Sequence, residues 1–333
     1  MQRLPLILFI AFELCYYLLI VQTGVAEYFG SNIYTMAPLP VGGIIGSLMA
    51  YYIKTSDSNK IKLFLVLQLF MSFFYPDFNF LELLILGISV GAMAPLIINE
   101  LKKANEIQLG MALAISYVVG TFLFNYDVEN RIYLAIGFTC IVLICSFLLD
   151  FKDQKEFEIK QELQNYSLFV MSLWVYLDST LFETLSRDIN ISIWRNGYSF
   201  EIAIFHIIGL VAALFIKIEK NQKELLIVLL FALSYLFYFL QEGLVLSIIY
   251  PFVISFYNIV ILQTLLKKDL KSLAINMVFI GWIASGAGLF TALENLILFV
   301  PLVFLISLIK ILISQQITTQ VSKKEKQNYV QNI

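Results

Sequence analysis

Residues 151–164 read FKDQKEFEIKQELQ, and half of these side chains are charged: Lys152, Asp153, Lys155, Glu156, Glu158, Lys160 and Glu162. The whole chain of 333 residues is 60% hydrophobic and 14% charged, with a mean hydropathy of +0.84. A soluble domain of this length needs far more charge to cover its surface. On each side of the charged stretch, about 150 residues divide into six apolar runs. Most reach the roughly 18 residues that span a hydrocarbon core. Backbone groups in lipid must be satisfied internally, and the runs lack the alternation of barrel strands, so they read as helices. The expected spans are 4–22, 33–53, 61–75, 79–100, 107–125, 131–150, 165–186, 198–217, 224–241, 243–265, 270–290 and 292–314. Their breaks fall at polar or turn-forming punctuation such as Thr55-Ser56-Asp57-Ser58-Asn59, Pro76-Asp77 and Gln241-Glu242-Gly243. The expectation is an all-α integral membrane protein of about twelve transmembrane helices in two six-helix halves. Residues 1–150 form one bundle, 151–164 a cytoplasmic linker, 165–314 the second bundle and 315–333 a disordered, Lys-rich cytoplasmic tail.

Positive charge tests this arrangement. With the amino terminus inside, 19 of the 22 Lys and Arg residues fall on inner segments, and Arg131, Arg187 and Arg195 on outer ones. Lys and Arg concentrate on the cytoplasmic side of membrane proteins, so both ends are expected in the cytoplasm, in a cell inner membrane. Gly24-Val25-Ala26 has the small residues of a cleavage site. Glu13 nevertheless interrupts the preceding apolar stretch, which exceeds a signal core, so residues 4–22 read as a retained span. Cys15, Cys140 and Cys145 lie in apolar runs without ligand spacing and read as packing residues.

The equal halves invite a search for a repeat. Residues 46–54 read GSLMAYYIK and residues 209–217 read GLVAALFIK, with Gly, Ala, Ile and Lys at the same four positions, 163 residues apart. Both segments close the second helix of their half at its cytoplasmic end. In these features the chain resembles the major facilitator superfamily of secondary transporters. That resemblance implies six plus six helices around a central cytoplasmic loop, and its best signature follows the second helix. Gly46, Leu48 and Lys54 occupy signature positions in the first half, and Gly209 and Lys217 in the second. The signature Asp is replaced by Ala50 and Ala213, so the charge relay built there is absent or rerouted. The fourth span, LGISVGAMAPLIINE with Gly87, Gly91 and Pro95, is also similar to that family's fourth helix. The Gly-Pro pair of many antiporters is missing from the fifth. Gly42, Gly43, Gly46, Gly281, Gly286 and Gly288 serve close helix packing or elements that rock during transport.

Ionisable side chains inside a span cost about 2.5–3.5 kcal/mol near its centre, so each one needs a reason. Glu13 falls near mid-membrane on the first helix. Asp178 and His206 each lie about eight positions from the shared outer loop, roughly 12 Å deep at the helical rise. Glu183 and Glu201 form a second, shallower pair. Glu13, Asp178, Glu183, Glu201 and His206 are the candidates for substrate binding or proton coupling, with His206 and Asp178 as a proton-handling pair. The blander alternative for His206, the single histidine, is a hydrogen bond to a backbone carbonyl or hydroxyl. Glu27, Glu82 and Glu294 fall at the outer interface, and Arg187 and Arg195 read as headgroup anchors of the outer loop. Asn258 and Asn276, away from helix ends, are expected to line the cavity. Gly46, Lys54, Gly209 and Lys217 mark the loops of conformational change.

The leading function is a secondary active transporter moving a small solute by alternating access. No nucleotide-binding loop is present, so protons, sodium or the solute's own gradient would drive it. The alternative is a polytopic enzyme acting on a lipid or lipid-linked substrate, but its loops are short and carry no nucleophile–base arrangement. No cofactor, metal site or nucleic-acid partner is expected. The bilayer is the solvent, and a monomer is compatible with the sequence.

Overall fold

The computed structural model describes residues 3–30, 32–149, 164–188 and 190–311. The expected linker, Gln164 apart, and the expected tail lie outside them. The described residues form twelve long helices and no strand. They are α1 Leu4–Tyr28, α2 Ile33–Tyr52, α3 Asp57–Ser72, α4 Phe80–Leu101, α5 Glu106–Leu123 and α6 Val128–Leu148 in the first set. The second set is α7 Leu168–Arg187, α8 Ser199–Phe215, α9 Lys220–Phe239, α10 Gly243–Leu265, α11 Leu270–Leu293 and α12 Leu296–Ile311. Nine of the twelve are long and apolar enough to cross a membrane; α3, α8 and α12 are shorter. The outer surface is what lipid demands. Phe147, Phe200, Phe215 and Leu298 are largely exposed, whereas a soluble monomer tolerates apolar patches of only a few hundred Å².

Among the boundaries that differ from the sequence expectation, three have a plain local reason. The first span does not stop at residue 22, because α1 continues through a wide, π-helical turn at Tyr17–Gln22 to Tyr28. The third helix starts at Asp57, where the Ser56 side chain accepts a hydrogen bond from the Asn59 amide and an acidic first turn meets the positive end of the helix dipole. The last two helices divide at Asn295, whose left-handed φ is 54°, a few residues after the break expected at residue 291.

Helix pairing repeats between the sets. In the first, α2 packs on α4, α3 on α4, and α1 on α5. In the second, α8 packs on α10, α9 on α10, and α7 on α11. The glycines explain the closest of these. A Cβ on Gly46 would lie 2.0 Å from the Ile88 carbonyl oxygen of α4, and one on Gly209 would lie 2.5 Å from the Phe252 carbonyl oxygen of α10. The two residues that the repeat equates therefore press the second helix of each set onto the fourth. The sets meet through α5 on α8 and through α11 on α2 and α4. At the latter contact the Trp282 ring covers Gly43, and its indole N–H donates to Ser47 Oγ at 3.2 Å.

The ends of the bundle are tied differently. At the end holding the start of α1, here the near end, Lys271 of α11 lies over the Tyr51 ring of α2 at 6.0 Å. At the far end Arg131 is buried, and its guanidinium donates to the carbonyls of Tyr126, Leu19 and Phe124 at 3.0, 3.1 and 2.7 Å and to Thr23 Oγ1 at 3.0 Å. The Thr23 hydroxyl donates to the Leu18 carbonyl at 2.8 Å. Carbonyls at the π-helical turn thus find donors inside the protein, as lipid requires.

Candidate substrate cavity

A cavity of about 320 Å³ lies between the two sets of helices. It is lined by α1, α4 and α5 on one side and by α7, α8, α10 and α11 on the other, with Trp194 at the far end. Side chains of α3, α6, α9 and α12 do not reach it. Most of the wall is apolar; the ionisable groups along it include Glu13, Asp178 and His206.

Asp178 is fixed by α10. Tyr250 and Tyr257, seven residues apart and so on one helix face, donate to its two carboxylate oxygens at 2.8 and 2.6 Å. A half-buried carboxylate on the cavity wall thereby keeps hydrogen bonds without a cation. His206 has partners of its own: Nδ1 lies 2.7 Å from Ser255 Oγ, and its ring stacks on Tyr117 at 4.3 Å between centroids. Asn258 donates to the Tyr117 hydroxyl at 2.8 Å. The expected Asp178–His206 pair is therefore two neighbouring clusters on one cavity, each organised by α10. Ser255 and His206 have the composition of a nucleophile and its base, but Ser255 is fully buried and does not line the cavity.

Glu13 faces the same cavity from α1 and accepts from Gln68 Nε2 at 3.1 Å; that nitrogen also lies 3.3 Å from Thr139 Oγ1. The Gln68 side-chain oxygen Oε1 is buried with no hydrogen-bond partner. Glu183 is buried on α7 one turn beyond the cavity wall, with Arg187 Nη2 at 3.9 Å from its carboxylate. Glu201 is half-buried and outside the cavity wall, so the two shallow glutamates occupy different surroundings. Asn258 lines the cavity, whereas Asn276 does not: its amide donates to the Ser272 carbonyl of its own helix at 2.6 Å.

The four loop-motif residues also divide. Gly46 and Gly209 are helix contacts, while Lys54 and Lys217 are exposed at the near end. The first carboxylate after Ala50 is Asp57, seven residues on. Asp57 takes Lys60 at 3.0 Å and the Asn99 amide of α4 at 3.1 Å, and Lys102 donates to Asn99 Oδ1 at 2.8 Å. The outer arginines, expected as headgroup anchors, have partners within the protein. Arg195 pairs with Glu27 at 2.6 Å, Arg187 donates to the carbonyls of Ala26 and Gly30, and Asn125 donates to the Trp194 carbonyl at 2.7 Å. These contacts join the two sets at the far end, because an arginine fork finds carbonyls and a carboxylate close by.

The arrangement of helices as a whole has counterparts among solved structures. The proton:xylose symporter XylE, described as a major facilitator superfamily protein, is similar at a TM-score of 0.59 and 13% identity, over 94% of this chain and 95% of that one. FucP, a major facilitator superfamily transporter in the outward conformation, matches at a TM-score of 0.54 and 12% identity, over 89% and 91% of the two chains. The fold is that of the major facilitator superfamily. A bacterial homologue of the iron transporter ferroportin, in its outward-facing state, matches at 0.55 and 12% identity, over 97% and 98%. No family model matches the sequence, and no curated protein matches it. At such identities the major facilitator fold comes through its architecture alone. Residues that sequence reasoning left out of the site are Tyr250, Tyr257, Tyr117, Ser255 and Gln68. The seven-residue spacing of the two tyrosines was a usable signal, diluted by 18 tyrosines in the chain.

Proposed function

We propose that this multi-pass membrane protein is a secondary transporter that moves a small solute by alternating access, with the halves 1–150 and 165–314 rocking about the cavity. The observation that carries the reading is the cavity itself: it lies between the two sets, holds carboxylates contributed from both, and has contacts between the sets at both of its ends. A static membrane enzyme has no need of separable contacts at the two ends. Glu13, Asp178 and His206 are the groups available for coupling to protons or sodium, because a buried carboxylate is relieved by taking up a proton or a cation. Glu183 and Glu201 would serve the path to the far end. The positive-inside bias supports the near end as cytoplasmic, and with it an inner-membrane location with both termini inside. The Asp57–Asn99–Lys102 group, all within the first half, would brace α3 against α4 at the near end.

The test is uptake by proteoliposomes screened with solute mixtures under imposed pH and sodium gradients. The reading predicts that a gradient drives accumulation of at least one solute. It also predicts that Asp178→Asn removes this accumulation while solute exchange, which needs no net ion movement, persists. Accumulation by Asp178→Asn equal to wild type at every pH would exclude Asp178 as the coupling group, and absence of accumulation under all gradients would count against gradient-driven transport.

A further inference from the structure

The chemistry of the cavity wall narrows what it can hold. Glu13 of α1 and Asp178 of α7 line one cavity from the two halves, and among the described residues no Lys or Arg lines it. Their placement is not accidental in the repeat. The two acids are 165 residues apart, against 163 for the Gly46–Gly209 and Lys54–Lys217 pairs, so they fall within two positions of equivalence on the first helix of each half. Neither acid is neutralised by a basic neighbour: Glu13 receives the Gln68 amide and Asp178 two tyrosine hydroxyls.

The rest of the wall is apolar and aromatic. Tyr17 and Trp282 meet edge to face at 6.4 Å between centroids, one on each π-helical turn, and Phe182 and Trp194 meet at 5.1 Å toward the far end. Aromatic faces attract cations, most strongly where water is excluded. An anion would meet two carboxylates with no compensating arginine or lysine. A polyol would leave hydroxyls unpaired against the many aliphatic side chains. A monovalent organic cation with an apolar body satisfies both features, its charge toward the acids and its body on the wall.

We propose that the cavity binds lipophilic organic cations, with Glu13 and Asp178 as the paired anionic groups that receive the charge. This rests on the transporter reading for its physiological meaning, but the binding itself is testable without transport.

The experiment is equilibrium binding to the purified full chain in a non-ionic detergent. The probes are tetraphenylphosphonium and the smaller benzyltrimethylammonium, with tetraphenylborate and triphenylphosphine oxide as anionic and neutral controls of related shape. Expected is saturable binding of at least one cation, at least tenfold tighter than either control, and weakened at least tenfold by Glu13→Gln and by Asp178→Asn. The wild-type comparison of cation with anion needs no variant, so it decides the matter even if a variant does not fold. Saturable binding of tetraphenylborate or triphenylphosphine oxide as tight as that of the cations would overturn the proposal. So would failure of both cations to bind folded protein, or unchanged cation affinity in folded variants. A chain whose cavity is reachable in turn from both membrane faces, yet which ignores both cations, would overturn the cation inference and leave alternating access standing.

Discussion

Gly46 shows how one residue sets a packing distance. A methyl group there would lie 2.0 Å from the Ile88 carbonyl oxygen, and one on Gly91 would lie 2.2 Å from the Gly43 carbonyl oxygen. Backbone cannot swing aside as a flexible side chain can, so the α2–α4 crossing has to open. Overpacking of this kind costs about 1–3 kcal/mol. Gly46→Ala should therefore lower the thermal unfolding midpoint in detergent by several degrees. Gly137→Ala, whose new methyl would have nothing within 4 Å, should leave it unchanged or slightly higher, since alanine favours helix. Equal midpoints for the two variants would remove close packing as the reason for Gly46. At this scale the sequence was partly legible. Glu13 and Asp178 stand out because charge in an apolar run is costly, and both reach the cavity. Asn276 looked equivalent to Asn258, but periodicity does not reveal that its amide turns back to Ser272. Gln68 carries no such signal: its partner Glu13 is 55 positions away and only the fold brings them together.

Among elements, α1 and α11 have most in common. Each carries a π-helical turn, at Tyr17–Gln22 and Val278–Ala284, and each places an aromatic from that turn on the cavity. Hydropathy could not show these turns, since they alter hydrogen-bond register without altering composition. It also ended α1 too early, because the polar residues of 22–28 look like a loop until Arg131 and Thr23 are seen satisfying the carbonyls. The far-end loop after α7, expected as a headgroup anchor, joins the halves through Arg195 and Glu27. Both residues are about a third exposed, so the ion pair contributes little to overall stability, about 0.2–1 kcal/mol. Its expected effect is on opening. Labelling of a cavity cysteine from the far end should quicken by about 1.4- to 5-fold in Arg195→Gln, the range that such a pair energy allows. If the two side chains act as one latch, Glu27→Gln with Arg195→Gln should show less than the product of the single effects. Strictly multiplicative effects would mean that they act apart.

For the whole molecule, the sequence was most informative where many residues vote together. Twelve helices, their order and the family likeness follow from summed hydropathy, punctuation and charge bias, each tolerant of a misjudged residue. The single nonapeptide match found the repeat because it fell on a backbone-to-backbone contact, where side-chain drift is forbidden in both halves. The substrate stays out of reach of such sums, because the cavity draws single residues from seven helices. Alternating access is the central claim, and one measurement tests it most directly. Ser285, on α11 at the cavity wall, is changed to cysteine in a chain whose Cys15, Cys140 and Cys145 are alanine. A membrane-impermeant maleimide is then applied to intact cells and, separately, to inverted vesicles. The account predicts labelling from both faces, with Arg195→Glu speeding it from the far face and slowing it from the near face. Labelling from one face alone, at a rate that Arg195→Glu leaves unchanged, would contradict it.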